Sequence, residues 1–282
     1  MSPIVPARSG AWLFFGLAFG WTWLFWILAA ILNISAQAPS GRVLVVGGLL
    51  GPMLAGIGLA SLGGESRRDY WKRVVDGRRI PTCWLTAILL FAPCLMALAI
   101  LVDVAAGNEA TLSAITGRAA PFVAAPWTLA PFLLRVLVYG PLPEELGWRG
   151  YALDRLQAAH EPLTASLILG AVWAAWHLPL FFIRDMNPHY SHGVGSAWFW
   201  LFMAQVVAAA VVYSFVFNNT GRSTLAAIIF HFMSNMTVEL TNVTDATNLY
   251  ATLLWIAAAV AVASLWGAGA VTPPSAGASA NR

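Results

Sequence analysis

Hydrophobic positions along this chain fall into eight long runs separated by short polar segments. Each run is about 20 residues long, which lets a helix cross a hydrocarbon core roughly 30 Å thick. The alternation typical of strands is absent, so spanning helices are expected rather than a closed barrel. The predicted spans are residues 10–33, 43–62, 82–105, 124–148, 163–184, 195–217, 222–241 and 248–268.

Composition also indicates a membrane location. The 282 residues are 59% hydrophobic and only 10% charged, whereas soluble domains carry about 25% charged residues. We therefore predict an all-α fold, a polytopic membrane helical bundle with about eight transmembrane helices. Residues 1–282 would form one integral membrane domain, and the tail at 272–282, rich in Pro, Ser, Ala and Gly, would be disordered. The formal charge of +3 is small, so nucleic acid is not an expected partner.

The basic residues predict an orientation in the cell membrane. Cytoplasmic loops are enriched in Lys and Arg, so the loop between the second and third spans is placed in the cytoplasm. With eight spans, both termini follow it there. The first span could instead be a signal peptide ending near Ala36, but its length exceeds the usual 7–15-residue core, so a retained span is favoured. The basic residues of that loop are Arg67, Arg68, Lys72, Arg73, Arg78 and Arg79.

Two other groups of residues have a simple interpretation. Cys83 and Cys94 are eleven positions apart in one apolar segment, about 16 Å along a helix, which is too far for a disulfide. Both are predicted to be packing residues. His189 and His192 lie in the loop at 184–195, which is placed outside the cell, and they have no acidic or cysteine partner at ligand spacing. They are predicted to belong to a polar loop rather than to a metal site.

The strongest chemical signal is a set of polar residues inside apolar runs, where ionisable groups are costly and usually functional. The fourth span carries Glu144 and Glu145 just after Pro141 and Pro143, and proline distorts a helix. Glu145 and Arg149 are four residues apart and can pair on one face. Glu144 points about 100° away from Glu145. We therefore predict a structural Glu145–Arg149 ion pair and a reactive Glu144.

Position along a helical hairpin predicts the partner of Glu144. Spans four and five meet at a turn near residues 160–161, and Glu144 and His177 each lie about 16 residues from it. Equal separation means equal depth, about 24 Å from the turn, so the two side chains are predicted to meet.

The seventh span adds two more polar groups. His231 and Asn235 are four residues apart and share a helix face. Glu239, close to the outer end of the same span, is predicted to be structural. Arg135 is expected to neutralise an acid such as Asp103 or Glu239.

These groups are sufficient for hydrolysis of a peptide bond. A carboxylate near a histidine can polarise water and accept its proton, and amide and imidazole N–H groups can stabilise an oxyanion. Glu144 would be the base, His177 would orient or share the proton, and His231 with Asn235 would stabilise the oxyanion. Alternatively, Glu144, His177 and His231 could bind zinc with water as the fourth ligand. The His-Glu-x-x-His signature is absent, and spacing alone does not choose between the two.

Three motifs in order resemble the CPBP family, the CAAX proteases and bacteriocin-processing enzymes also called Abi proteins. The family pattern is Glu-Glu-x-x-x-Arg, then Phe-x-x-x-His, then His-x-x-x-Asn/Asp/Ser, and the resemblance covers about residues 120–241, the expected catalytic core. One position departs, because Trp173 stands where Phe is usual. The matching residues here are Glu144, Glu145 and Arg149, then Trp173 and His177, then His231 and Asn235.

The resemblance implies a helical membrane fold and an intramembrane endopeptidase. Family members are described both as metalloproteases and as glutamate-type proteases; we adopt the second description, with no cofactor favoured and zinc as the alternative. The CAAX branch cleaves prenylated C-terminal Cys-a-a-X tails, whereas bacteriocin maturation or self-immunity is proposed in the bacterial branch, which the short loops favour. The expected partners are a peptide or lipidated-protein substrate and the lipid bilayer, with cleavage near the cytoplasmic side.

Two other functions would use the same polar residues differently. A non-enzymatic immunity or scaffold protein would not need the polar cluster for its effect. A proton-coupled transporter would use Glu144 and the histidines as a relay, but such proteins usually contain inverted repeats, and no internal repeat is evident.

Overall fold

The computed structural model describes residues 7–62 and 67–267, and within these ranges the chain is helical and contains no strand. The predicted fold class is therefore confirmed. The predicted disordered tail at 272–282 lies outside the described residues. The α-helices are α1 Ala7–Ile31, α2 Pro39–Leu49, α3 Gly51–Leu62, α4 Arg67–Val75, α5 Thr82–Ala105, α6 Ala120–Ala124, α7 Leu129–Val138, α8 Pro141–Gly147, α9 Leu153–Gln157, α10 Pro162–Trp176, α11 His189–His192, α12 Ala197–Asn219, α13 Thr224–Leu240 and α14 Asp245–Gly267.

Within the described residues, six helical segments are long and apolar enough to cross a membrane, compared with the eight spans that hydropathy predicts. The seventh predicted span is the apolar but shorter α13, and the fourth predicted span is broken. The helices pack together as one bundle. In it α12 contacts α10 and α14, and α5 contacts α13 and α14. The six are Gly10–Ile31, Pro39–Leu62, Thr82–Ala105, Pro162–Phe182, Ala197–Asn219 and Asp245–Trp266.

The prediction of one continuous helix over residues 124–148 is wrong. α7 ends at Val138, and Gly140 has φ 156° and ψ −77°, outside the helical region. Pro141 then starts α8, consistent with the preference of proline for the first turn of a helix. A π-helical turn over Trp148–Ala152 separates α8 from α9. Such irregular turns are common at functional sites, and this one follows the two adjacent carboxylates directly.

Two glycines allow α3 and α8 to touch backbone to backbone. A Cβ on Gly147 would lie 2.4 Å from the carbonyl oxygen of Pro52, and one on Gly56 would lie 2.8 Å from that of Leu146. No real Cβ approaches backbone this closely, so larger residues here would force the helices apart. This contact holds the short α8 against the long helices around it.

The basic segment after α3 includes a folded helix that docks on one end of the bundle. Tyr70 of α4 is buried and donates a hydrogen bond to the carbonyl oxygen of Leu146 at 2.8 Å. Arg73 is 2% exposed and pairs with Asp154, which also accepts a hydrogen bond from Nε of Arg222 at 2.9 Å. We call Arg73, Asp154 and Arg222 the basic-end cluster.

The described ends of the chain lie near this cluster. Phe14 of α1 stacks on Tyr151 with ring centres 5.6 Å apart. Near the end of α14, Trp266 packs against Phe215 at 5.7 Å. The N-terminal end of α1 and the C-terminal end of α14 therefore lie on the same side of the bundle as the basic segment.

The two cysteines are free, as predicted, but both side chains are exposed on the surface of α5. Their prediction as packing residues is wrong. An α-helix with apolar residues around its whole circumference does not reveal which face is buried.

Candidate active site

Glu145 is the central acceptor of a buried network. Nη1 of Arg149 donates to both carboxylate oxygens, at 2.9 and 3.1 Å, and both side chains are 0% exposed. The ion pair predicted from the four-residue spacing is therefore present. Glu145 also accepts a hydrogen bond from Nδ1 of His231 at 2.9 Å, a contact that sequence reasoning missed. One carboxylate thus joins α8, the π-helical turn and α13.

Aromatic rings complete the environment of Arg149. Its guanidinium lies 4.9 Å from the ring centres of both Trp173 and Tyr213. Two of its nitrogens, Nε and Nη2, have no hydrogen-bond partner within the described chain. Cation–π contacts strengthen when the cation is removed from water, so the rings and Glu145 together stabilise the buried charge.

The bond to Glu145 determines which nitrogen of His231 faces the site. Because the ionised Glu145 can only accept, Nδ1 of His231 carries the proton of that bond. Nε2 is then the nitrogen free for chemistry. Nε2 can donate a hydrogen bond only when the ring carries both protons.

Glu144 is held by a residue that sequence reasoning treated only as an aromatic wall. The indole N–H of Trp173 donates to Oε2 of Glu144 at 2.6 Å, and Glu144 is 5% exposed. A phenylalanine, the usual family residue at this position, has no such donor. The presence of Trp173 in place of the usual Phe could have revealed this role, because a buried indole N–H usually donates a hydrogen bond.

His177 lies just beyond the last residue of α10. Its Nδ1 donates to the carbonyl oxygen of Trp173 at 2.8 Å, which leaves Nε2 as the free nitrogen. The ring packs edge-on against Phe202 at 5.2 Å. In the described chain no hydrogen bond joins His177 to Glu144. The direct contact from α10 comes instead from Trp173, one helical turn earlier.

Three polar atoms surround a common space beside Gly140. A Cβ on this glycine would lie 3.0 Å from Nδ2 of Asn235, 3.4 Å from Oε1 of Glu144 and 3.8 Å from Nε2 of His231. The break between α7 and α8 thus places a residue without a side chain where the carboxylate and two potential donors converge. His231 and Asn235 share a helix face, as their spacing predicts.

A cavity of about 340 Å³ leads to these residues. His177, His231 and Asn235 line it, and Trp173 connects it to Glu144. Its wall is largely apolar. The apolar side chains include Leu95, Met96, Val206 and Trp255.

Towards its exposed side the cavity is lined by Arg135 and Glu239. Nη1 and Nη2 of Arg135 donate to the two oxygens of Glu239, at 3.1 and 3.0 Å, and both side chains are more than 40% exposed. This is one of the two pairings expected for Arg135. The other candidate, Asp103, instead accepts hydrogen bonds from Thr244 and Thr247.

His189 is not part of a polar loop, contrary to the prediction. Its ring packs against Trp198 at 5.2 Å and Phe202 at 4.7 Å, and it lines the cavity beside His177. Burial, with a smaller effect from His192, lowers the pKa of His189 to about 4. The ring is therefore neutral at neutral pH and contributes aromatic surface.

The three residues of the zinc alternative do not assemble as a ligand set. Among the described residues, no group of three or more His, Cys, Asp or Glu side chains could hold a metal ion. Glu144 is hydrogen-bonded to Trp173, while His231 uses Nδ1 to bind Glu145.

Replacing Trp173 with Phe tests the role of its indole N–H. The ring contacts would remain, but the bond to the ionised Glu144 would be lost; such bonds contribute about 1.5–3 kcal/mol. We expect kcat for peptide cleavage to fall at least about tenfold with little change in KM. As the pH is lowered, the variant should lose activity at a higher pH than wild type does, because the carboxylate of Glu144 would protonate more readily. The control is Trp127→Phe, since Trp127 is 76% exposed. An unchanged pH profile for Trp173→Phe would contradict this role.

The fold and the site define a class: a multi-pass helical membrane protein with a buried glutamate–histidine centre. Residues 126–237 match the family model described as Rce1-like, type II CAAX prenyl endopeptidase Rce1-like. A relative from Methanococcus maripaludis, CAAX prenyl protease 2, is 28% identical over 257 residues, which cover 88% of this chain and 92% of that protein.

These matches confirm the resemblance given by the three motifs. Over residues 126–237 the chain is similar to type II CAAX prenyl endopeptidases. The matched residues 126–237 include all of the predicted site residues from Glu144 to Asn235.

Proposed function

We propose that this protein is an intramembrane endopeptidase of the glutamate type. The observation that carries the proposal is the convergence of Glu144, His231 and Asn235 on the space beside Gly140. That space adjoins a cavity wide enough for a peptide, and the carboxylate is held rigidly by Trp173.

The proposed reaction begins with a water molecule beside Oε1 of Glu144. Glu144 accepts a proton from the water as its oxygen attacks the scissile carbonyl carbon, and Nε2 of the neutral His177 accepts a hydrogen bond that orients the water. The resulting oxyanion accepts hydrogen bonds from Nδ2 of Asn235 and from Nε2 of doubly protonated His231. As the C–N bond breaks, protonated Glu144 returns its proton to the leaving amine.

The proposed substrate is a peptide or lipidated protein with a CAAX-type C-terminus. This follows the relative's name, and the apolar wall of the cavity suits lipid or hydrophobic side chains. The bilayer would present such a substrate at the depth of the site. A bacteriocin-related precursor is the second substrate class consistent with the family.

An assay of the purified protein in liposomes tests this proposal. We expect cleavage of a prenylated C-terminal peptide at one bond, detected by mass spectrometry, and the same rate after dialysis against a chelator. Loss of activity on chelation, with recovery on adding zinc, would contradict the glutamate-type mechanism. No cleavage of prenylated or bacteriocin-like peptides would contradict the enzymatic proposal and favour a scaffold or immunity role.

The side of the membrane on which cleavage occurs has its own test. The exposed cavity residues Arg135 and Glu239 lie at the end of the bundle opposite the basic-end cluster. If the substrate enters through this exposed end, cleavage near the cytoplasmic side requires the end to face the cytoplasm, whereas the distribution of basic residues predicts the reverse. The two predictions thus lead to opposite labelling results.

Single cysteines at opposite ends of α5 separate these results. In a variant lacking Cys83 and Cys94, Glu109→Cys and Arg78→Cys place exposed thiols at the two ends. A membrane-impermeant thiol reagent added to intact cells should label position 78 alone if cleavage is cytoplasmic. Labelling of position 109 alone would contradict cytoplasmic cleavage and support the orientation predicted from the basic residues.

A further inference from the structure

A second cavity adjoins the active-site cavity and differs from it in polarity. Its volume is about 450 Å³, and Arg135, Tyr139 and Glu239 line both cavities. Its remaining wall comes from Arg42 and Val45 of α2, from Ala36 and Gln37 just before that helix, and from residues 185–187. We call it the polar cavity. The proposed mechanism does not use it.

One cationic side chain that lines the polar cavity has no hydrogen bond or ion pair with the described residues. Glu239 is paired with Arg135 through two hydrogen bonds. Asp185 lies 3.7 Å from Nε of Arg184 and accepts a hydrogen bond from Ser35 at 2.6 Å. Arg42 is exposed, and its guanidinium has no hydrogen bond or ion pair with the described residues. The four charged lining residues, Arg42, Arg135, Asp185 and Glu239, sum to zero, but Asp185 and Glu239 each have another partner, so the guanidinium of Arg42 remains available to an anionic group.

The polar cavity begins one helical turn from a residue of the reactive centre. Glu239 is one helical turn, about 5–6 Å, beyond Asn235 on the same face of α13. Arg42 and the Arg135–Glu239 pair line the same cavity. Since an extended chain advances about 3.3–3.6 Å per residue, a group two to four residues beyond the scissile bond would reach the polar cavity.

We propose that the polar cavity binds the free α-carboxylate at the C-terminus of the substrate, with Arg42 as its cation. The inference rests on the proposed endopeptidase function and deepens it. It explains how a protease with an apolar cavity would select a chain end: only a terminal residue brings a carboxylate with it. A guanidinium is well suited to this role because its planar fork can donate two parallel hydrogen bonds to a carboxylate.

Two peptides that differ only at the C-terminus test the proposal. One ends in a free carboxylate and the other in a carboxamide, and kcat/KM is measured for both with the full-length protein in liposomes. We expect wild type to prefer the acid by about tenfold or more, as expected for a charge-assisted hydrogen bond. In Arg42→Gln the acid-to-amide ratio should fall to near one, and Arg42→Lys should give an intermediate ratio.

The ratio is an internal control for folding, because a loss of folded enzyme lowers both rates equally. Arg78→Gln is the matched control, since Arg78 is 92% exposed and lies at the basic end; its ratio should equal that of wild type. Equal cleavage of acid and amide by wild type, or an unchanged ratio in Arg42→Gln, would overturn the inference while leaving the proposed function intact. Failure of wild type to cleave either peptide would overturn the proposed function and this inference with it.

Discussion

Replacing Glu144 with Gln should lower the rate of peptide cleavage by about 10²–10⁴-fold, the usual contribution of a general base. The substitution is nearly isosteric, and a Gln oxygen can still accept the hydrogen bond that Trp173 donates to this side chain. The fold should therefore remain intact while the proton acceptor is lost. Because the base acts in the chemical step, the loss should appear in kcat rather than in KM.

The matched control for this experiment is Glu161→Gln, an exposed glutamate at the start of α10. It removes the same charge outside the site and should leave kcat and the unfolding temperature unchanged. If Glu144→Gln retained more than about a tenth of wild-type activity, Glu144 would not be the base. The combination of normal stability with lost cleavage would separate a chemical role from a structural one.

Replacing Arg149 with Met should destabilise the protein strongly, by about 3–5 kcal/mol, the range for breaking a buried ion pair. Glu145 would then be a buried carboxylate whose main cationic partner had been removed. The free energy of unfolding in detergent micelles measures this effect. Cleavage should also decrease, because Glu145 orients His231.

A double variant separates the two roles of Glu145. Glu145→Gln with Arg149→Met removes both charges, so much of the stability should return. Activity should stay low, because a neutral amide no longer makes the charge-assisted hydrogen bond that positions His231. Full recovery of cleavage in the double variant would contradict the proposed role of Glu145 in positioning His231.

The exposed Arg135–Glu239 pair is the control for the stability measurement. Its partners are 44% and 41% exposed, and exposed pairs usually contribute less than about 1 kcal/mol. Arg135→Met should therefore change the free energy of unfolding much less than Arg149→Met. Equal effects would mean that burial does not determine the contribution of the Glu145–Arg149 pair.

Several features of the site follow from local spacing and could be predicted. Residues four apart on a helix face the same way, and this rule correctly predicted the Glu145–Arg149 pair and the shared face of His231 and Asn235. The prediction that Arg135 neutralises an acid is also confirmed, although the sequence left both Asp103 and Glu239 as candidates and only the structure identifies Glu239. The first two successes share one cause, because helix geometry determines the relation between residues of one continuous helical segment. The Arg135–Glu239 pair instead joins α7 to α13.

Other features could not be predicted because they depend on contacts between distant segments. The bonds of Glu145 to His231 and of Glu144 to Trp173 join residues 86 and 29 positions apart. The hairpin count predicted the depth of α10 correctly enough to bring that helix to Glu144, but not which of its side chains makes the contact. That choice depends on rotation of the helix about its axis, which tertiary packing sets.

The sequence by itself indicated the membrane environment, the helical fold class and the resemblance to a known family, because long apolar runs suit a membrane and the three motifs are local patterns. Only the tertiary structure decided where the fourth predicted span breaks and which donor binds Glu144. It also showed that His189 lines the cavity instead of lying in a polar loop. The physical reason is that hydropathy records how apolar a segment is, whereas hydrogen bonds between buried groups depend on the distance and orientation that packing imposes.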